Sequence, residues 1–285
     1  MAGNEKQFKS AFDSLHALAY FAPEVDAALT GIGLRPGRMP YFAGRSAAMG
    51  PVGPEVVAAT FYNFNPEVVA RVIPRAWTLA TPEQVLEARL DGVDKVLTRL
   101  LGDDTLKGEE VAEAAELARE ASAGCTAEGR PLYAAHTALP WPEQPHLALW
   151  HALTLVREYR GDGHVAALVL NGLSGVEAVV THVATGHGFT TDAAKLTRGW
   201  SDEQWAAAKA GLADRGILDA EGELTEAGVA LRDRIEVATE AAATGPWDHL
   251  GPEKTARLEA LCRDLTRQAV AAGAFPDGVF ARRRA

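Results

Sequence analysis

One stretch of the 285-residue chain concentrates side chains that do chemistry. In "HLALWHALTLVREYRGDGH" (146–164), positions 146, 150, 153, 157, 160 and 164 follow a 4-3-4-3-4 spacing, one continuous stripe if the segment is an α-helix. The stripe reads His146, Trp150, Leu153, Arg157, Arg160 and His164. A neighbouring stripe holds His151, Leu155, Glu158 and Asp162, while Leu149, Ala152, Val156 and Tyr159 make an ordinary apolar face. Imidazoles beside carboxylates are the components of acid–base catalysis: His164 or His146 as proton carrier, Asp162 or Glu158 to orient it, and Arg157 or Arg45 to hold an anionic group. The same residues fit a second role, because a buried Arg157–Glu158 pair can set the register of packed helices without touching any ligand.

Other polar groups stand where they could converge on that helix. "YFAGR" (41–45) supplies Tyr41 and Arg45, "FYNFNP" (61–66) sets Asn63 among aromatics, His182 and His187 flank "VATG", and Arg198 precedes Trp200. Asn65-Pro66 also reads as the start of a helix, the plainer account of "FYNFNP". The expected ligand-binding set is therefore Trp150, His151, Arg157, Glu158, Arg45, Tyr41, Asn63, His182 and Arg198, with aromatic members suited to a partly planar or apolar molecule. No metal site is assigned. His182 and His187 are not at the i,i+4 spacing that puts two ligands on one helical face, and HExxH and Cys/His clusters are missing from the sequence. Asp162-Gly-His164 could lend two ligands from a turn, and several histidines could serve haem, so the cofactor stays unknown. GxSxG, Walker A and GxGxxG motifs do not occur.

The elements that must position these groups are overwhelmingly helical. Helical spacing runs through 82–101, 109–123, 145–160, 201–215, 225–243 and 252–272. Gly and Pro punctuate it at "RPGRMP" (35–40), "GPVGP" (50–54), "LPWPEQP" (139–145) and "ATGHG" (184–188). Three patterns also recur in the same order. "HAL" stands at 16–18 and 151–153, "AAL-x3-GL" at 27–34 and 166–173, and "W-x4-PE" at 77–83 and 247–253. An internal duplication accounts for this, giving an N-terminal helical repeat (1–123), a linker (124–145) and a C-terminal repeat (146–285). Two copies in one chain would form a pseudo-dimer, and pockets favour such interfaces.

The C-terminal repeat contains "SDEQWAAAKAGLADRGILDAEGELTEAGVALRDRIE" (201–236). Ser201 and Gln204 fit a capping box, the helix stops at Gly216, and "ILDAEGEL" reads as two short strands around a turn. Helix, "RGIL", hairpin, "LTEAG", helix resembles the winged helix of MarR-like regulators over roughly 170–240. The whole chain also resembles an actinobacterial family labelled helix-turn-helix, through "YFAGRSAAMGPVGPEVV", "FYNFNPEVV", "PWPEQPHLALWHA", "REYRGDGHVAAL" and "TRGWSDEQW". That resemblance implies a fold but no particular activity. The expected fold class is thus mainly α: tandem, pseudo-dimeric winged-helix-like repeats with one short β-hairpin wing in the second copy.

MarR-like relatives put the helix before the wing into the major groove and the wing on the backbone, and both tasks need Lys or Arg. Here that helix offers Asp202, Glu203, Gln204, Lys209 and Asp214, and the wing Asp219, Glu221 and Glu223. The formal net charge of −10 agrees, since affinity for nucleic acid depends on basic groups displacing counterions. DNA is not the expected partner, although Lys195, Arg198 and Arg215 could serve a weak regulator.

Two cysteines without CxxC spacing and an N-terminus without an apolar core point to the cytoplasm. No run of about 18 apolar residues suggests a membrane span. The expectation is a small-molecule-binding protein, with acid–base catalysis an open question, on a scaffold that has lost DNA binding, as a monomeric pseudo-dimer or a homodimer. The alternatives are a ligand-responsive MarR-like regulator using the same pocket, and a partner protein, which would show exposed apolar patches instead of converging polar groups.

Overall fold

The computed structural model describes residues 11–275. Among them every regular element is a helix. The N-terminal part runs α1 (Ala11–Ala17), α2 (Pro23–Gly31), α3 (Arg38–Ser46), α4 (Pro54–Phe61), α5 (Pro66–Ala70), α6 (Pro82–Leu101), α7 (Asp103–Leu106) and α8 (Glu109–Ser122). After α9 (Pro131–Thr137) come the long α10 (Pro145–Leu170), then α11 (Gly175–Ala184), α12 (Thr191–Arg198), α13 (Asp202–Asp214) and α14 (Glu226–Ala241), closed by α15 (Gly245–Leu250) and α16 (Pro252–Ala271). Proline opens α2, α4, α5, α6, α10 and α16, where its fixed φ suits the first turn and its missing N–H has no partner to lose. Capping boxes at Thr81/Gln84, Ser174/Glu177 and Ser201/Gln204 set the starts of α6, α11 and α13.

The 26 residues of α10 rise about 39 Å and form the spine. Its first half is buried with α1, α6, α8 and α16 around Leu15, Val93, Leu149, Leu153, Leu258 and Leu265. A second core joins α2–α6 through Leu29, Phe42, Val57, Phe61 and Ile73. A third gathers the end of α10 with α11–α14 through Leu168, Val180, Trp205, Leu212 and Ile235. The charged middle of α10 therefore falls where the three cores meet. No single helix among the described residues is long and apolar enough to cross a membrane.

The expected wing differs. Between α13 and α14 the chain makes a single antiparallel bridge, Leu218 to Leu224, with Asp219 N donating to Glu223 O at 3.0 Å. No strand forms among the described residues. The reason is size: an isolated two-stranded ribbon is marginal, and here the turn leaves only a few residues on each side. The linker also differs from a plain loop, because residues 131–137 form α9, with Tyr133 buried against Tyr159 at 5.4 Å between ring centroids.

The repeated motifs land on unlike and like elements in turn. "HAL" at 16–18 crosses the end of α1 into a 3-10 turn, and the chain breaks at Ala22 before α2. The same tripeptide at 151–153 lies inside α10. Both copies of "W-x4-PE", by contrast, open a 20-residue helix, α6 and α16.

Candidate functional site

Where the three cores meet they leave a cavity of about 810 Å³, walled by α1 and the turn after it, α3, the end of α4, α10, α11 and α12. That volume lies within the range of small-molecule sites. Nine of the expected residues line it: Tyr41, Arg45, Asn63, Arg157, Glu158, Asp162, His164, His182 and Arg198.

Glu158 is the hub. Its side chain is 3% exposed, and it accepts from Arg45 Nη2 at 2.9 and 2.8 Å and from Arg157 Nη1 at 2.9 Å. Burial alone would push the carboxyl up; Arg45 and Arg157 outweigh it and hold the group well below the ordinary range, ionised. Arg45 also donates to Tyr41 Oη at 3.0 Å and lies 4.5 Å from the Phe61 ring centroid. Burial would raise the Tyr41 phenol, yet Arg45, Arg198 and Arg157 together bring it below its ordinary value. Arg157 keeps 28% of its side chain accessible and lines the cavity, with its guanidinium 5.2 Å from the Tyr20 ring.

The opposite wall comes from the end of α12. Arg198 lies between the rings of Phe64 and Phe189, 4.6 and 5.2 Å from their centroids. Among the described residues its guanidinium has no hydrogen bond and no carboxylate partner. Burial lowers its pKa, as expected for a cation held without a counter-ion. Arg38 donates to the carbonyls of Thr197 (2.9 Å) and Leu196, fixing α12 to α3.

The remaining expected residues hold structure in place as well. Asp162 Oδ2 accepts from Leu132 N and Tyr133 N at 3.0 and 2.9 Å, so this carboxylate caps α9 from across the chain. Burial raises it to about 6 despite those bonds. His164 Nδ1 pairs with Thr239 Oγ1 at 2.9 Å. The Thr239 hydroxyl already donates to Ile235 O, so it accepts from Nδ1–H of His164. His182 sits beneath Gly188, where a Cβ would come within 2.8 Å of Nε2.

Three expected residues do not line the cavity. His146 pairs with Asp94 at 2.6 Å near the start of α10, three turns below Arg157. Trp150 is buried and stacks on His16 at 5.0 Å. His151 is buried edge-on to Trp141, and burial lowers it to about 4. The helical stripe is real, but it runs the length of α10, and only its C-terminal half reaches the cavity. His146, Trp150 and His151 thus stand apart from the other nine expected residues, each in a packing contact of its own.

Sequence reasoning missed Tyr20 and Arg38 in the walls, and a buried layer of His16, Arg89 and His136 behind Glu158. His16 Nε2 meets Thr154 Oγ1 at 2.9 Å. That hydroxyl donates to Trp150 O, so His16 carries its proton on Nε2 and its buried Nδ1 has no partner among the described residues. His136 is fixed the other way, Nδ1–H to Leu132 O at 2.8 Å, with Nε2 toward Arg89 at 3.5 Å. Burial, with Arg89 adding to it, brings His136 to about 4.

A sequence model of a helix-turn-helix family matches residues 5–276. No curated protein and no solved structure matches the chain.

Proposed function

This chain belongs to that helix-turn-helix family, and from that premise we propose that its scaffold holds a small molecule in this partly open cavity and no longer reads DNA. The observation that carries the reading is the cavity itself. It is large enough for a ligand, walled by aromatic rings, and it collects charged groups that an apolar core would exclude. Its walls come from 13–64 on one side and 157–198 on the other, with Leu132 between. We read these as the two copies of a duplicated unit joined by 124–145, with the 20-residue helices α6 and α16 as equivalents. Within the cavity Tyr41 has the best claim to an acid–base role, since three guanidinium groups favour its ionised form. Asp162 and His164 are the second pair.

Loss of DNA reading is supported by the surface of α13. Its exposed residues are Asp202, Glu203, Ala206, Ala207, Ala210, Ala213 and Asp214. Arg215, just beyond, is paired with Glu177 at 2.9 Å. The bridge that stands for a wing exposes Asp219, Glu221 and Glu223. A ligand-responsive regulator is the second reading, favoured by one observation. The end of α12 lines the cavity and leads through Gly199 straight into α13, so ligand and helix-turn-helix share an element.

Two measurements separate these readings. Native mass spectrometry of the purified protein should show a retained small molecule that Val183→Trp, which fills the cavity, removes; equal masses would end the ligand reading. Fluorescence anisotropy with duplex DNA across a salt series should give no binding and no salt slope. A steep negative slope of log affinity against log salt favours the regulator.

A further inference from the structure

The charges around the cavity do not balance, and the excess is positive although the chain carries −10 overall. Five arginines line it: Arg38, Arg45, Arg157, Arg160 and Arg198. Arg160 turns outward to Glu236 and Glu240, at 2.8 and 2.7 Å. Arg38 is occupied by two backbone carbonyls. That leaves Arg45, Arg157 and Arg198 facing Glu158, with Asp13 of α1 also in the lining and acting on Arg157. Glu158 binds Arg45 through both of its oxygens and gives Arg157 one shared bond. Among the described residues it does not reach Arg198, whose guanidinium lies against the faces of Phe64 and Phe189. Asp162 also lines the cavity, but its Oδ2 turns to the α9 backbone, and among the described residues it makes no ion pair with Arg157 or Arg198.

The Arg198 side chain is half-buried, and a guanidinium partly withdrawn from water gains from an anion or hydrogen-bond acceptors that offset the loss. Its planar fork matches a carboxylate or a phosphate in two parallel bonds. Arg198 has that fork unoccupied, held in place by two rings. Arg157 is accessible on the α10 side of the same cavity.

We infer that the cavity's ligand carries a carboxylate or phosphate group held by Arg198 and Arg157, with an aromatic or otherwise planar body lying along Tyr41, Phe61, Phe64 and Phe189. This rests on the reading of the cavity as a ligand site. It also reassigns Arg45, which the sequence offered as an anion holder. Arg45 positions Glu158 and Tyr41, and Arg198 takes the anion.

The test is isothermal titration of the full chain with three probes of one shape: benzoate, phenyl phosphate and neutral benzamide. At least one anion should bind, with benzamide about tenfold weaker or worse, as the loss of a charge-assisted hydrogen bond requires. The tighter of benzoate and phenyl phosphate identifies the group as carboxylate or phosphate. Arg198→Met should abolish the preference for the anion, and Arg198→Lys should restore part of it. Arg157→Met gives an independent check should the first variant not fold. Equal affinity for benzamide and both anions, or unchanged anion affinity in both Met variants, overturns the inference. So does failure of both anions to bind. In each case a small molecule still retained by the wild type and lost in Val183→Trp leaves the cavity reading standing, and its absence takes both down.

Discussion

Glu158, 3% exposed between Arg45 and Arg157, is the residue on which the interior charge arrangement turns. Glu158→Gln keeps the shape but leaves two guanidinium groups without their counter-ion, and breaking a buried pair from one side costs about 3–5 kcal/mol. Urea titration should show that loss. Asp162 acts in the opposite sense. Its folded-state value is raised to about 6 from an ordinary 3.8, so its contribution to stability is full below about 3.8 and is lost as pH rises through 6. Asp162→Asn retains an oxygen for the Leu132 and Tyr133 amides and removes the titration. The variant's unfolding midpoints should therefore gain on the wild type between pH 4 and 6 and hold that gain above it. Midpoints that run parallel across this range would show that Asp162 does not titrate on folding. The sequence marked both carboxylates, because charged residues inside an apolar helical pattern stand out. It marked Arg45 and Arg157 as groups that could converge on this helix, but did not pair Arg45 with Glu158 or the Leu132 and Tyr133 amides with Asp162, since only tertiary packing brings these together.

Among the elements, α10 and the α12–α13 turn decide whether a site exists. The helices over 82–101, 109–122, 145–170, 202–214, 226–241 and 252–271 were legible within a few residues at most ends, because apolar periodicity and proline or Ser/Thr caps act locally. The 145–170 helix outran its expected end by ten residues, since Gly161 and Gly163 weaken a helix on propensity alone yet are held here by packing. Gly163 leaves room for Arg130 Nη1, 2.9 Å from where its Cβ would lie. The small helices α3, α4 and α12 were not legible, being shorter than the window that periodicity needs; α5 was marked at its start by Asn65-Pro66, where Asn65 caps it. The turn at Gly199 fixes the cavity's far wall: Asn65 donates to Gly199 O at 2.9 Å, and a Cβ on Gly199 would meet Val68 Cγ2 at 2.5 Å. With φ at +76°, Gly199→Ala should destabilise by about 1–3 kcal/mol and displace Arg198. Melting temperature and benzoate affinity should fall together. Unchanged values would mean that this contact does not hold α12 in place.

For the whole molecule, the helix-turn-helix elements and the cavity belong to one body, with α10 contributing to the first and third cores and the second packed beside it. Family membership accounts for the scaffold, and the acidic face of α13 accounts for reading the scaffold as something other than a DNA reader. The cavity could not be read from the sequence as a volume, because its walls are more than a hundred residues apart, from Tyr20 to Arg198. What could be read was the presence of charge where apolar residues were due. The central claim is that this cavity is occupied by a small molecule. An electron-density map of the protein as purified, inspected between Arg198 and Arg157, tests it most directly. The account predicts density for a planar molecule with an anionic group against the Arg198 guanidinium. A cavity holding only ordered water, with Arg198 swung away to solvent, would contradict it.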